Sequence, residues 1–75
     1  MVGRHGGNKA LFALRLKDCR IHLGMSREAL AQKLGVTAAA VGHWENGVCF
    51  PQISKRERLC EVLGTTQQDL HLPPF

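Results

Sequence analysis

Three cysteines, four histidines and a cluster of early basic side chains are the groups in this 75-residue chain whose chemistry could go beyond packing. The thiols and imidazoles do not assemble. Cys19, Cys49 and Cys60 stand 30 and 11 residues apart, contain no Cys-x-x-Cys and fit no zinc-ligand template. Three thiols cannot all pair within one chain, and the helical pattern assigns Cys19 and Cys60 to a core, where a thiol acts as a small hydrophobe. Both are expected to be reduced, whereas Cys49 falls in a loop and is open to an intermolecular disulfide in air. No spacing of His, Cys and acids suits a nucleophile–base pair or a metal, so neither enzyme nor cofactor is expected. The cations are another matter. Arg4, Lys9, Arg15, Lys17, Arg20 and Arg27 face only Asp18 up to position 27, the remainder is close to neutral, and the net charge is +4. A positive field concentrated at one end attracts phosphates.

The elements that would carry those charges can be read from Arg27 to Gly47, REALAQKLGVTAAAVGHWENG. Leu30, Ala31 and Leu34 share one face of a short helix, and Val41 and Trp44 share one face of a second. Gly35 ends the first, where a left-handed backbone costs least without a Cβ. Val36 then turns inward, and Thr37 is placed to cap the second helix. Ala31 is small where two backbones must approach. This pattern predicts a helix-turn-helix, whose second helix normally enters the DNA major groove.

Around the motif the chain reads as one all-α domain. With 44% apolar and 21% charged residues it is globular in composition, and its length suits a single core. Residues 1–7 are Gly-rich and predict an arm; Arg4 could enter a minor groove from it, or the arm is a frayed end. Residues 8–72 form the domain and 73–75 a short tail that its prolines keep from being helical. Helix 1 is expected from an Asn8 cap to about Leu23, with Phe12, Leu16, Cys19 and Leu23 as its buried stripe. Helix 2 starts after Ser26, and helix 3 spans Ala38 to Asn46. Gly42, in the middle of helix 3, is expected to face outward and admit a close neighbour. Helix 4 starts near Ser54 and ends before Gly64, with Ile53, Leu59, Cys60 and Leu63 inward. A fifth helix follows a Thr66-x-x-Asp69 cap, and Leu70 and Leu72 face the core or a partner. No apolar run approaches the roughly 20 residues of a membrane span, and residues 10–14 are too short for a signal core. A cytoplasmic location is expected.

From Leu16 to Leu70 the chain resembles the phage repressor/Cro-like (XRE-type) helix-turn-helix DNA-binding family. The resemblance rests on LKDCRIHLGMS, the motif, WENG closing its second helix, Pro51, and LCEVLGTTQQDL. It implies a five-helix, lambda-repressor-like DNA-binding domain with the helix-turn-helix at helices 2 and 3. It also implies a partly buried structural ion pair between Arg20 and Glu45, and DNA contacts from Arg27, Thr37, Ala38, Ala39, His43 and Asn46. Arg27 would reach a phosphate or fork toward a base edge, Thr37 a phosphate or thymine methyl, and Ala38 and Ala39 thymine methyls. His43 is the one long polar reader of the face, suited to a purine N7 or a phosphate, and Asn46 caps the helix or meets a phosphate. Two departures stand out against similar proteins. The capping-box Glu is replaced by Ala29, and the loop after helix 3, often Lys/Arg-rich, is Val48-Cys49-Phe50-Pro51 here. Three successive alanines also leave the reading face bare.

The implied function is a sequence-specific regulator binding double-stranded operator DNA, most simply a homodimeric (auto)repressor on an inverted repeat. Leu70, Leu72 and Phe75, with Phe50 nearby, are the expected dimer surface, and no separate inducer-binding domain is expected. The alternative is an antitoxin-like or other protein-interaction module with weak DNA binding.

Overall fold

A computed structural model describes residues 8–73; the expected arm, Arg4 and Phe75 lie outside them. Asn8 begins the fold with extended backbone and a side chain that accepts from the Leu11 N–H at 3.1 Å, starting α1 (Lys9–His22). Phe12 and Leu16 on that helix are fully buried, and Ala13 nearly so. Leu23, expected in the same stripe, is 48% exposed. It is the C-cap of α1, so the chain leaves the helical register before that side chain can reach the core.

Ser26 accepts from the Ala29 N–H at 3.0 Å and opens α2 (Arg27–Leu34). Glu28 lies in its first turn, where a negative charge suits the helix dipole. Gly35 ends α2 at φ 71°, with the N–H of Val36 bonded to the Ala31 carbonyl, a left-handed closure that a Cβ would strain. Lys55 adds a donor from α4, its Nζ 3.3 Å from the Leu34 carbonyl. Thr37 then caps α3 (Ala38–Glu45), accepting from the Ala40 N–H at 3.1 Å.

After a loop through Phe50 and the fully buried Pro51, α4 (Ile53–Leu63) returns across the bundle. Its inward positions are Arg56, Leu59, Cys60 and Leu63. Ile53, expected inward, is 55% exposed. It is the first residue of α4, and a helical side chain leans toward the N-terminus, here past the end of the helix. Phe12, Leu16, Leu30, Leu34, Val41, Trp44, Leu59, Leu63, Leu70 and Leu72 form one core, each contributing about 1.5–3 kcal/mol on full burial.

Among the described residues there are four α-helices and no strand; the fifth helix is not formed. Thr66 does accept from the Asp69 N–H at 3.1 Å, and the Leu70 N–H reaches the Thr66 carbonyl, but the chain closes after one turn. His71 takes a left-handed φ of 59°, and Pro73 beyond it has no N–H to extend a helix. Leu70 and Leu72 are 1% and 5% exposed, spent on the core of their own chain and unavailable as the expected dimer surface. Phe50 is likewise engaged, its ring tilted against Phe12 at 5.6 Å.

Candidate nucleic-acid interface

α3 packs against both α1 and α2, and the small Ala31 of α2 is buried. Val41, Trp44 and Glu45 point into the molecule, which leaves Ala39, His43 and Asn46 exposed along one side of α3. Ala38 is half-buried against the core at the edge of that face. Thr37 is exposed at its start with its oxygen engaged as the cap, and Asn46 is the C-cap, its N–H on the Gly42 carbonyl. Ala38 and Ala39 carry no polar side-chain atom, so His43 and Asn46 are the polar groups standing out from the helix. Beside the C-terminal end of α3 lies a cleft of about 550 Å³ that Lys9 and Lys17 of α1 border together with Asn46 and Gly47. The cations beside this end of α3 therefore come from α1, since the loop Val48 to Pro51 carries none.

Behind the face, the Glu45 side chain has no solvent exposure. Arg20 grips it from α1, Nε on Oε2 and one terminal nitrogen on Oε1 at 3.0 Å, while the other terminal nitrogen donates to the Met25 carbonyl at 2.8 Å. Burial works against the charge on Glu45. The hydrogen bonds from Arg20 and Arg27, with their positive charges, outweigh it and hold the carboxyl below its usual value. The same bond raises Arg20 further.

Arg27 proves to belong to this network. Its Nε donates to Glu45 Oε1 at 3.1 Å, its side chain stays 42% exposed, and no partner is found for its terminal nitrogens among the described residues. Gly42, expected to face outward, is buried, and what covers it is Arg27: a Cβ at position 42 would stand 3.4 Å from Arg27 Nη1. The admitted neighbour is thus a side chain of the same molecule. Eighteen residues separate Arg27 from Glu45, so no helical periodicity could link them. The available signal was the glycine itself, one turn before Glu45 and on the adjoining face.

No spacing or motif marks Arg56 for the interior. Buried in α4, it donates to the carbonyls of Pro51 at 2.9 Å and Pro73 at 3.3 Å and lies 5.9 Å from the centre of the Phe50 ring. It ties both irregular segments to the bundle. Burial raises the Cys60 thiol above its ordinary value; burial and then Asp18 do the same for Cys19. Cys60 is buried as expected, while Cys19 is only half-buried and Cys49 is exposed. Among the described residues, no three His, Cys, Asp or Glu side chains gather into a metal-holding group, and no helix is long and apolar enough to cross a membrane.

The chain is similar to known proteins in both sequence and shape. An SPbeta prophage-derived, uncharacterized HTH-type transcriptional regulator of Bacillus subtilis (strain 168), YonR, is 34% identical over 56 residues, which is 75% of this chain and 52% of that protein. Among solved structures, the hypothetical transcription factor NHTF from Neisseria superposes with a TM-score of 0.77 at 26% identity, covering 99% of this chain and 85% of that one. Hydroxypropylphosphonic acid epoxidase from S. wedmorenis gives a TM-score of 0.77 at 36% identity over 92% of this chain, but over only 36% of its own. The chain thus spans about half the length of the curated relative and about a third of the epoxidase, so the latter likeness concerns a helical domain and not that enzyme's chemistry. Residues 11–72 match the helix-turn-helix domain family. With that match and the B. subtilis relative, the chain belongs to the XRE-like helix-turn-helix family.

Proposed function

We propose that this chain is a DNA-binding transcriptional regulator that lays the exposed face of α3 into the major groove. The observation that carries the reading is geometric. α3 is braced from behind by the Arg20–Glu45 pair and by α2, and it leaves Ala39, His43 and Asn46 open on a surface bordered by Arg27, Lys9 and Lys17. The names of the B. subtilis and Neisseria relatives support the same class.

In this reading His43 meets a purine N7 or a phosphate, Ala38 and Ala39 touch thymine methyls, and Thr37 and Asn46 rest against phosphates. The N–H groups that open α2 lie beside a phosphate, with Arg27 above them. Two copies bind an inverted repeat with half-sites about 34 Å apart, and occupancy blocks a promoter, including that of the gene itself. The site of action is the cytoplasm, in association with the nucleoid, and the reaction involved is binding alone. The bare face of α3 keeps a second reading in view, an antitoxin-like module whose main partner is a protein.

Affinity for duplex DNA measured against salt decides between them. A dimer making six or more phosphate contacts should lose roughly a thousandfold or more in affinity between about 50 and 200 mM salt. No binding to duplex DNA, or binding indifferent to salt, contradicts the DNA reading and favours a protein partner.

A further inference from the structure

Two copies on one inverted repeat need a surface to meet on, and Leu70, Leu72 and Phe50 are engaged in the core of their own chain. Six large apolar side chains stand exposed among the described residues, and four of them belong to α1 or its C-cap. Three of those four form a pattern. Leu11, Leu14 and Ile21 are 40%, 59% and 56% exposed, on the side of α1 away from Phe12 and Leu16. With Asp18 they follow steps of three, four and three residues, the spacing of the a and d positions in a two-helix seam. Apolar side chains scattered singly over a surface are ordinary, whereas a stripe of them along one helix marks a place of contact.

The charges around the stripe say what covers it. Arg15 and Lys17 are exposed on its two flanks, and Asp18 is exposed in its middle. An acidic helix would answer the two cations but set its own charge against Asp18, and an uncharged one would cover all three without a partner. A second copy of this chain answers both signs. Running antiparallel across a two-fold axis between Leu14 and Asp18, it brings Leu11 opposite Ile21, and Asp18 opposite Leu14 with Arg15 and Lys17 of the other copy alongside. Ion pairs at the margin of an interface fix partner and register more than affinity. The same axis keeps both Lys17 flanks on one side of the pair. Lys17 borders the cleft at Asn46, so the C-terminal ends of both α3 helices lie toward that side, where a single duplex meets them. We propose that the outer stripe of α1 is the surface on which two copies of this chain pair. The proposal rests on the two-copy DNA-binding reading above, and its own test needs no DNA.

Sedimentation equilibrium on the full chain reads the pairing, with circular dichroism to check that each variant is folded. The wild-type chain should show a monomer–dimer equilibrium in the micromolar range. Leu14→Ala with Ile21→Ala removes the stripe from both copies at once and should raise the dimer dissociation constant roughly tenfold or more. Asp18→Lys should weaken pairing, as should Arg15→Glu with Lys17→Glu, and a mixture of those two chains should form a mixed dimer where neither pairs with itself. A wild-type chain that stays monomeric across the micromolar range overturns the proposal and leaves the stripe to a different protein. A dimer that survives the loss of Leu14 and Ile21 uses another surface, such as that of Val48 and Ile53, and also overturns it. If Asp18→Lys pairs as tightly as the wild type, the second copy in this register is the wrong occupant. A wild-type chain that pairs through α1 but enriches no sequence selected from a random duplex library supports this surface and overturns the DNA-binding reading instead.

Discussion

A carboxylate with no access to water must find its counter-charge inside the protein, and Glu45 finds two guanidiniums on two different helices. Removing it strands the Arg20 charge between α1 and the motif and releases Arg27, so Glu45→Ala should cost about 3–5 kcal/mol in chemical denaturation. An unchanged midpoint would mean the network holds nothing. The pH dependence has a definite sign. The folded carboxyl titrates below its usual value, so its contribution is complete above the unfolded glutamate pKa of about 4.3 and drains away as pH falls through the lower folded value. The acid limb of the stability curve should therefore flatten in Glu45→Ala. Arg27 differs, being 42% exposed and bonded through a single nitrogen. Arg27→Ala should cost under about 1 kcal/mol of stability while lowering DNA affinity, and a large fall in melting temperature would make Arg27 a fold residue first. The Arg20 half of this cluster follows from the family pattern. The Arg27 half does not, because it joins residues on two helices through a gap that only three dimensions reveal.

At the scale of elements, local chemistry governs where helices begin and end. Asn8, Ser26 and Thr37 each accept from the N–H three residues on, and these caps were readable because side-chain capping is a short-range affair. Thr37→Ala should lose about 0.5–2 kcal/mol and loosen the start of α3, whereas Thr37→Ser should keep most of the stability, both read by thermal melting. Equal melting temperatures for all three chains would show that the cap is idle. Helix ends are where apolar spacing stops predicting burial, for a related reason. Leu23 and Ile53 have the right residue type and nearly the right spacing for burial, yet one is a C-cap and the other a first residue, where the periodicity no longer points inward. The missing fifth helix is the same effect at larger size: Thr66 nucleates a turn that His71 and Pro73 close before a second can form.

For the molecule as a whole, the C-terminal turn completes the core in place of a helix. Leu70 and Leu72 sit inside, Arg56 reaches from α4 to the carbonyls of Pro51 and Pro73, and the Asn8 N–H meets the His71 carbonyl, joining the two ends of the domain. Leu70→Ala should cost about 2–5 kcal/mol and broaden the whole unfolding transition, while a surface role at a partner interface would leave monomer stability unchanged. The interior use of these leucines could not be separated from a dimer surface by spacing, since both demand the same apolar residues. What the molecule presents outward is one side of α3 beside Arg27, with Lys9 and Lys17 at its end, and DNA binding requires that side to meet a duplex. The most direct check is to titrate the isotope-labelled chain with a selected DNA duplex and follow its backbone amide signals by NMR. The largest shifts should fall at residues 26–29 and 37–46, with α4 little affected. Shifts confined to α4 and the C-terminal turn, with α3 untouched, would contradict it.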